Sequence, residues 1–317
     1  MTTRSLIERA GTLFGLVLVA IVFGALVGPQ FFAPTNLELM ARQMAIVSIA
    51  AVGMTIVIVA GGIDLSVGSM IALSTVVIAQ LLRMNVSPLM AALGAIGTAA
   101  FCGLINGVLI TQLRVVPFIV TLGTMLVIRG AAKGLAEERR IEAPATWLND
   151  LLRVTRGESL LPSGIWGVIV LAILVAALLR YTRFGRHVFA IGSNERMARL
   201  CGVAITRTKV IVYALSAAFV GVAGLLQFSK LSVGDPTVAV GLELDVIAAV
   251  IIGGGSLSGG RGTVAGTLIG AAIMTVIQIG CSQKGLANWV QQIVTGLIIV
   301  AAVALDRIRT AHGTGTS

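Results

Sequence analysis

Residues 44–82 read MAIVSIAAVGMTIVIVAGGIDLSVGSMIALSTVVIAQLL, two apolar runs parted by Gly61, Gly62 and the lone charge of Asp64. Each run, 44–60 and 65–82, comes close to the roughly 20 residues that a helix needs to cross a bilayer. Similar runs occupy 12–28, 88–111, 116–134, 164–181, 209–228, 241–258, 263–280 and 289–305. Ten crossings of about 20 residues would consume about 200 of the 317 residues and leave only short connections. Composition agrees, with 57% hydrophobic and 11% charged residues and a mean hydropathy of +1.01. Soluble domains carry roughly 25% charged residues, so a soluble globular protein is excluded. The expectation is an all-α, polytopic helical bundle of about ten transmembrane helices, residues 1–317 forming one membrane domain.

The net charge of +10 is read as topology charge and not as a nucleic-acid surface, because the basic residues stand between apolar runs. Residues 180–209 carry Arg180, Arg183, Arg186, Arg196, Arg199, Arg207 and Lys209 against Glu195 alone, which places 182–208 in the cytoplasm. The 135–163 connection is near neutral, with Arg139, Arg140, Arg153 and Arg156 facing Glu137, Glu138, Glu142, Asp150 and Glu158, and is placed on the periplasmic side. With an even number of spans both termini are cytoplasmic, in agreement with Arg4 and Arg9 at one end and Arg307 and Arg309 at the other. The first apolar run lacks a small-residue cleavage site and is read as a retained span. Cys102, Cys201 and Cys281 have neither metal nor disulfide spacing and are read as small packing residues. Small residues four apart, at Ala20, Gly24 and Gly28, at Gly103 and Gly107, and at Gly262, Gly266 and Gly270, suggest faces where helices approach closely.

An ionisable residue at membrane depth is a functional candidate by default, which singles out Asp64. One reading is a broken-helix substrate site, the neighbouring glycines interrupting the helix. The other makes Asp64 a cap for the following span, bonding the amide of Ser66 or Val67. A second segment, Val250–Gly262 (VIIGGGSLSGGRG), aligns with the first at an offset of 192, matching Gly253, Gly254, Leu257, Ser258 and Gly260 to Gly61, Gly62, Leu65, Ser66 and Gly68. An internal repeat and chance matching of glycine-rich sequence both account for this. Asp64, Ser66, Ser256 and Ser258 are the candidate substrate-pathway residues.

Three nucleotide motifs are imitated there without their context. Gly255–Arg261 lacks the Lys followed by Ser or Thr that a phosphate loop requires. Gly260, Gly262 and Ala265 spell a dinucleotide fingerprint with no soluble strand before it. Leu257–Arg261, LSGGR, copies the signature of ATP-binding cassettes. The expectation is that this chain binds no cofactor, holds no metal and contains no catalytic residue, so ATP-driven work needs a partner.

In residues 182–208, Ser193 or Asn194 can cap a short helix with Glu195 in its first turn, and Gly202 can end it. Met197, Leu200 and Cys201 would share one face, flanked by Arg196 and Arg199. Such a helix can lie on a membrane or dock in a groove on a partner.

Taken together, AVGMTIVIVAGGIDLSVGS (51–69), PFIVTLGTMLVIRG (117–130), TRFGRHVFAIGSNERMARLCGV (182–203), GLELDVIAAVIIGGGSLSGGRGTVAGTLIGA (241–271) and the terminal LDRIR (305–309) resemble the permease subunits of bacterial ATP-binding cassette sugar importers, the ribose, xylose and galactose group. The resemblance implies a multi-pass inner-membrane subunit that pairs with a second permease, identical or similar. It also implies two cassette ATPases carrying ATP and magnesium, and a periplasmic sugar-binding protein. It places Gly192, Asn194, Glu195, Arg196, Ala198, Arg199, Leu200, Gly202 and Val203 in the coupling loop against the ATPase, and so favours docking over membrane binding. Substrate would be a pentose or hexose. An ion-coupled transporter using Asp64, Glu243 or Asp245 as a buried cation site is the alternative from another class; a membrane enzyme has no supporting constellation.

Overall fold

The computed structural model describes the backbone of residues 3–153 and 162–313 and, within these, the side chains of 11–153 and 162–304. The side chains of Arg4, Arg9, Arg156, Glu158, Arg307 and Arg309, invoked for orientation, lie outside the described residues, as does the side-chain reading of LDRIR.

The elements follow as α1 (Thr3–Val27), a 3-10 turn (Pro29–Phe32), α2 (Pro34–Val59), α3 (Val67–Arg83), α4 (Pro88–Leu113), α5 (Pro117–Leu135), β1 (Ile141–Glu142), a 3-10 turn (Trp147–Asp150), α6 (Ser163–Tyr181), α7 (Arg183–Ser193), α8 (Glu195–Leu200), α9 (Ile205–Leu231), β2 (Val233–Gly234), α10 (Leu242–Ile252), α11 (Val264–Gln283) and α12 (Asn288–Gly313). The protein is an all-α polytopic membrane protein, apart from the two-residue antiparallel pairing of β1 with β2. Proline opens α2, α4 and α5 at their first position, where its fixed φ suits a helix and its missing N–H leaves no bond unmade.

Helices α2, α4, α5, α6, α9 and α11 are long and apolar enough to cross a membrane, and Gly11–Val27, α3 and Asn288–Ala304 are shorter apolar helices. Every apolar run read from the sequence falls on a helix, yet the run 241–258 stays helical only to Ile252. Gly253–Gly255 stop it, leaving α10 with 11 residues, a rise of about 16 Å against a hydrocarbon layer of about 30 Å.

At the centre stands α2, buried on every side from Ala45 to Val59 and packed against α6, α9, α10 and α11. Lipid offers apolar helices no hydrophobic incentive to associate, so close packing has to hold them. Along α4 and α9 this is direct: a Cβ at Gly103 would lie 2.3 Å from the Ala217 Cβ, and one at Gly107 would lie 2.8 Å from the Val210 Cα. Between α10 and α11, a Cβ at Gly270 would lie 2.0 Å from the Ala249 carbonyl oxygen. The expected Ala20/Gly24/Gly28 face behaves otherwise, because Gly24 accommodates the Phe32 ring of the next turn and Gly28 lies beyond α1. Cys281 is buried and Cys102 half-buried, as packing residues are, but Cys201 is exposed.

Candidate functional site: a glycine junction below two broken helices

Helices α2 and α10 end in the same way. Gly61 N–H donates to Ile58 O at 2.9 Å and Gly62 N–H to Val57 O at 2.9 Å; Gly254 N–H donates to Ile251 O at 2.9 Å and Gly255 N–H to Val250 O at 2.8 Å. Both are Schellman caps with the left-handed glycine one residue past the cap, Gly61 at φ 78° and Gly254 at φ 91°. Structural equivalence at the helix ends is therefore offset by 193, one more than the gap-free sequence alignment, since Ala60 is the counterpart of Gly253. The two breaks then differ in length, α3 resuming at Val67 and α11 only at Val264.

In the first break, Asp64 is completely buried. Its Oδ1 accepts the Ser66 amide at 2.9 Å and the Ser66 hydroxyl, and Ser66 Oγ accepts from Asn106 Nδ2 of α4 at 2.9 Å. Asp64 Oδ2 and Asn106 Oδ1 have no hydrogen-bond partner among the described residues. The preceding carbonyl, Ile63 O, accepts from Tyr213 of α9 at 3.4 Å and from Thr121 of α5 at 3.3 Å. Asp64 thus ties the first turn of the returning chain, while Asn106, Thr121 and Tyr213 anchor it to three helices. Ser66 is also fully buried. In the second break, Ser256 is buried and shapes its own loop, accepting the Gly259 amide on its carbonyl at 3.0 Å and the Ser258 amide on its hydroxyl at 3.4 Å, whereas Ser258 is exposed. Asp64 and Ser66 are therefore in one break and Ser256 and Ser258 in the other.

What brings the breaks together is backbone. Gly260 N–H donates to Val59 O at 2.9 Å, and a Cβ at Gly259 would lie 2.9 Å from the Gly61 Cα and 2.6 Å from the Gly192 carbonyl. A Cβ at Gly192, near the end of α7, would lie 1.8 Å from Val59 O and 2.5 Å from Gly260 N. A Cβ at Gly260 would lie 2.9 Å from the Ser193 Cα. The glycines that imitate a cassette signature are required for these contacts.

The 182–208 segment holds two short helices where one was expected. Thr182 caps α7 by accepting Gly185 N–H at 3.1 Å, and Asn194 caps α8 by accepting Met197 N–H at 3.0 Å. Gly202 ends α8 at φ 82°, with its N–H donating to Arg199 O and that of Val203 to Ala198 O, both at 3.0 Å. Ala198 packs inward with Ile191 and Ile205, leaving Arg196, Met197, Arg199 and Leu200 outward; Leu200 is 75% exposed. Glu195 Oε2 accepts from Lys209 Nζ of α9 at 2.7 Å and its Oε1 from Arg199 at 3.3 Å. The Lys209 ammonium holds the Glu195 carboxyl below its usual range. A cavity of about 500 Å³ opens beside α8, lined by Arg114, Glu195, Arg199, Thr206 and Lys209.

Two further carboxylates that a cation site would use have protein donors, although Glu243 Oε2 has no hydrogen-bond partner among the described residues. Glu243 accepts the Gly241 amide at 3.2 Å and Asp245 accepts from Gln278 of α11. Among the described residues no three His, Cys, Asp or Glu side chains cluster as metal ligands would.

Residues 36–303 match a family described as branched-chain amino acid transport system / permease component. The chain is 37% identical to the ribose import permease protein RbsC of Escherichia coli (strain K12), over 96% of this chain and 95% of that one. It is 38% identical to RbsC of Bacillus subtilis (strain 168), over 96% and 94%, and 34% identical to the fructose import permease protein FrcC of Rhizobium meliloti, over 92% and 83%. No solved structure matches.

Proposed function

Because the chain belongs to this family of transport-system permease components, we propose that it is the membrane subunit of an ATP-driven importer whose cargo is a monosaccharide, a pentose or hexose. The observation that carries the reading is its near end-to-end likeness to permeases named for ribose and fructose import. The family description alone also embraces amino-acid carriers; the sugar names of the relatives narrow it.

In this proposal the chain sits in the bacterial inner membrane with ten spans, α7 and α8 and both termini in the cytoplasm, and residues 135–163 in the periplasm. It pairs with a second permease, the same or a similar chain. Two cassette ATPases bind and hydrolyse ATP with magnesium, and a periplasmic binding protein delivers the sugar. The permease catalyses no reaction.

The coupling loop is 182–208. Helix α8 offers Arg196, Met197, Arg199 and Leu200 to the ATPase, while Asn194, Glu195, Gly202 and Val203 give it its shape and hold it to α9. A charged and apolar ridge on a capped helix suits a groove on a partner. When the ATPase changes shape, α7 moves with α8, and Gly192 passes the displacement to both breaks because no side chain lies between them. Ser256 and Ser258 stand at the inner end of the path, and Asp64 and Ser66 keep the first break rigid as it moves. Each ATPase state favours one access state only in so far as it binds that state more tightly. Weakly polar walls hold the sugar loosely, so selective recognition belongs to the binding protein.

Purification from native membranes in mild detergent tests this: an ATPase with a phosphate loop should accompany the chain. Recovery of the chain without any ATPase, together with uptake that follows an ion gradient at constant ATP, would favour the ion-coupled alternative instead.

A further inference from the structure

Between β2 and α10 the chain leaves regular structure at membrane depth. Gly234 lies beside Thr75, Val76 and Ala79 of α3, whereas Ala239 lies beside Gly68 of the same helix, where a Cβ would be 2.3 Å from Ala239 O. Along α3 that is a descent of roughly 10–16 Å at 1.5 Å per residue. Gly68 is 15 residues below Arg83, or about 22 Å. The turn at 239–241 is also a full α10, about 16 Å, above Gly253. With Arg83 and Gly253 taken as the two edges of a hydrocarbon layer of about 30 Å, the first ruler puts the turn about 7 Å past the midplane and the second about 1 Å from it, in both cases well inside the layer.

The inward side of this segment is well paired. Arg129 of α5 donates to Pro236 O at 3.1 Å and Val238 O at 2.7 Å, and Asp235 accepts the amide and hydroxyl of Thr237 at 2.8 and 2.6 Å. The outward side is not. Val240 is 77% exposed, Thr237 and Leu244 are exposed, and among the described residues neither the amide nor the carbonyl of Val240 has a hydrogen-bond partner. Irregular backbone with open polar groups does not face hydrocarbon; at membrane depth it persists only against protein or water.

We propose that the turn at residues 237–241, with Val240 at its tip, faces the water-filled path through the importer and forms part of the wall along which the sugar passes. The open peptide groups of Val240 exchange water for sugar hydroxyls, a chemistry that suits any polyhydroxylated monosaccharide. That the cargo is a sugar rests on the function proposed above; that water reaches the turn does not.

The test uses the full importer in proteoliposomes, with Cys102, Cys201 and Cys281 replaced by serine and one cysteine introduced as Val240→Cys. Ile173→Cys in α6, also exposed and apolar, is the lipid-facing control. A charged methanethiosulfonate reagent should modify position 240 at least tenfold faster than position 173, and modification should abolish sugar uptake while the ATPase still co-purifies. Equal, slow modification at the two positions would overturn the proposal, as would spontaneous disulfide formation between two copies through position 240 with no reagent access. Fast labelling in a complex that shows no ATP-dependent sugar uptake would sustain the aqueous turn and overturn the function proposed above.

Discussion

Gly192→Ala places one methyl group at the point where the end of α7 meets both broken helices. Its Cβ would stand 1.8 Å from the Val59 oxygen, whereas ordinary contact begins at 3.4 Å, so α7 and the end of α2 must separate by about 1.6 Å. The Gly260 N–H to Val59 O bond of 2.9 Å cannot survive that shift unchanged. Overpacking costs about 1–3 kcal/mol and a buried group left unpaired about 1–3 kcal/mol, together about 2–6 kcal/mol. If only about 1.4 kcal/mol of this falls unequally on the two access states, their ratio changes tenfold. In reconstituted importer, sugar uptake per ATPase should fall at least tenfold and thermal stability should drop, while the ATPase still co-purifies through the unaltered surface of α8. Gly97→Ala, where a Cβ meets nothing within 4 Å, serves as the neutral comparison. Uptake at the native rate in Gly192→Ala would overturn this expectation, because the contact would then carry no motion.

Asp64→Asn should keep transport near normal, since an amide oxygen still accepts from Ser66, whereas Asp64→Ala should lose about 1–3 kcal/mol of stability; thermal melts and uptake assays distinguish these results. Glu195→Gln removes an ion pair whose carboxylate is 42% exposed, so it should weaken ATPase binding by less than about 1 kcal/mol, measured by titration in nanodiscs. Because the Glu195 carboxyl is held below its usual range, its contribution is complete above the unfolded value of about 4.3 and is lost only as pH falls through the lowered folded value. Binding by wild type and Glu195→Gln should therefore run parallel between pH 6 and 8, and a divergence there would contradict the assignment.

Hydropathy located the apolar helices, because a bilayer demands long apolar runs, and Pro34, Pro88 and Pro117 mark where three of them start. It misjudged α10, since Gly253 and Gly254 sit within a run that is apolar by average yet end the helix by conformation. The caps at Asn194 and Gly202 were legible because capping is local chemistry. The second helix, α7, was less so: its Thr182 cap precedes the basic stretch RFGR, which reads as loop. Gly192 could not be picked from the sequence as a contact point, for its neighbours Val59 and Gly260 are far away in the chain and meet it only through backbone. Nor could Asn106 and Tyr213 be paired with the first break; a polar residue in each of two apolar helices was the available signal. The matching glycines were visible, but the offset at which the two helix ends correspond depended on which glycine adopts the left-handed conformation.

In the proposed function this chain moves a sugar inward only when an ATPase drives it. The most direct measurement is uptake of radiolabelled ribose and other monosaccharides into proteoliposomes containing the purified complex, with binding protein outside and ATP with magnesium inside. Accumulation against the gradient is expected, and it should require ATP, the ATPase and the binding protein together. Accumulation that persists without ATP and collapses with the ion gradient would contradict it.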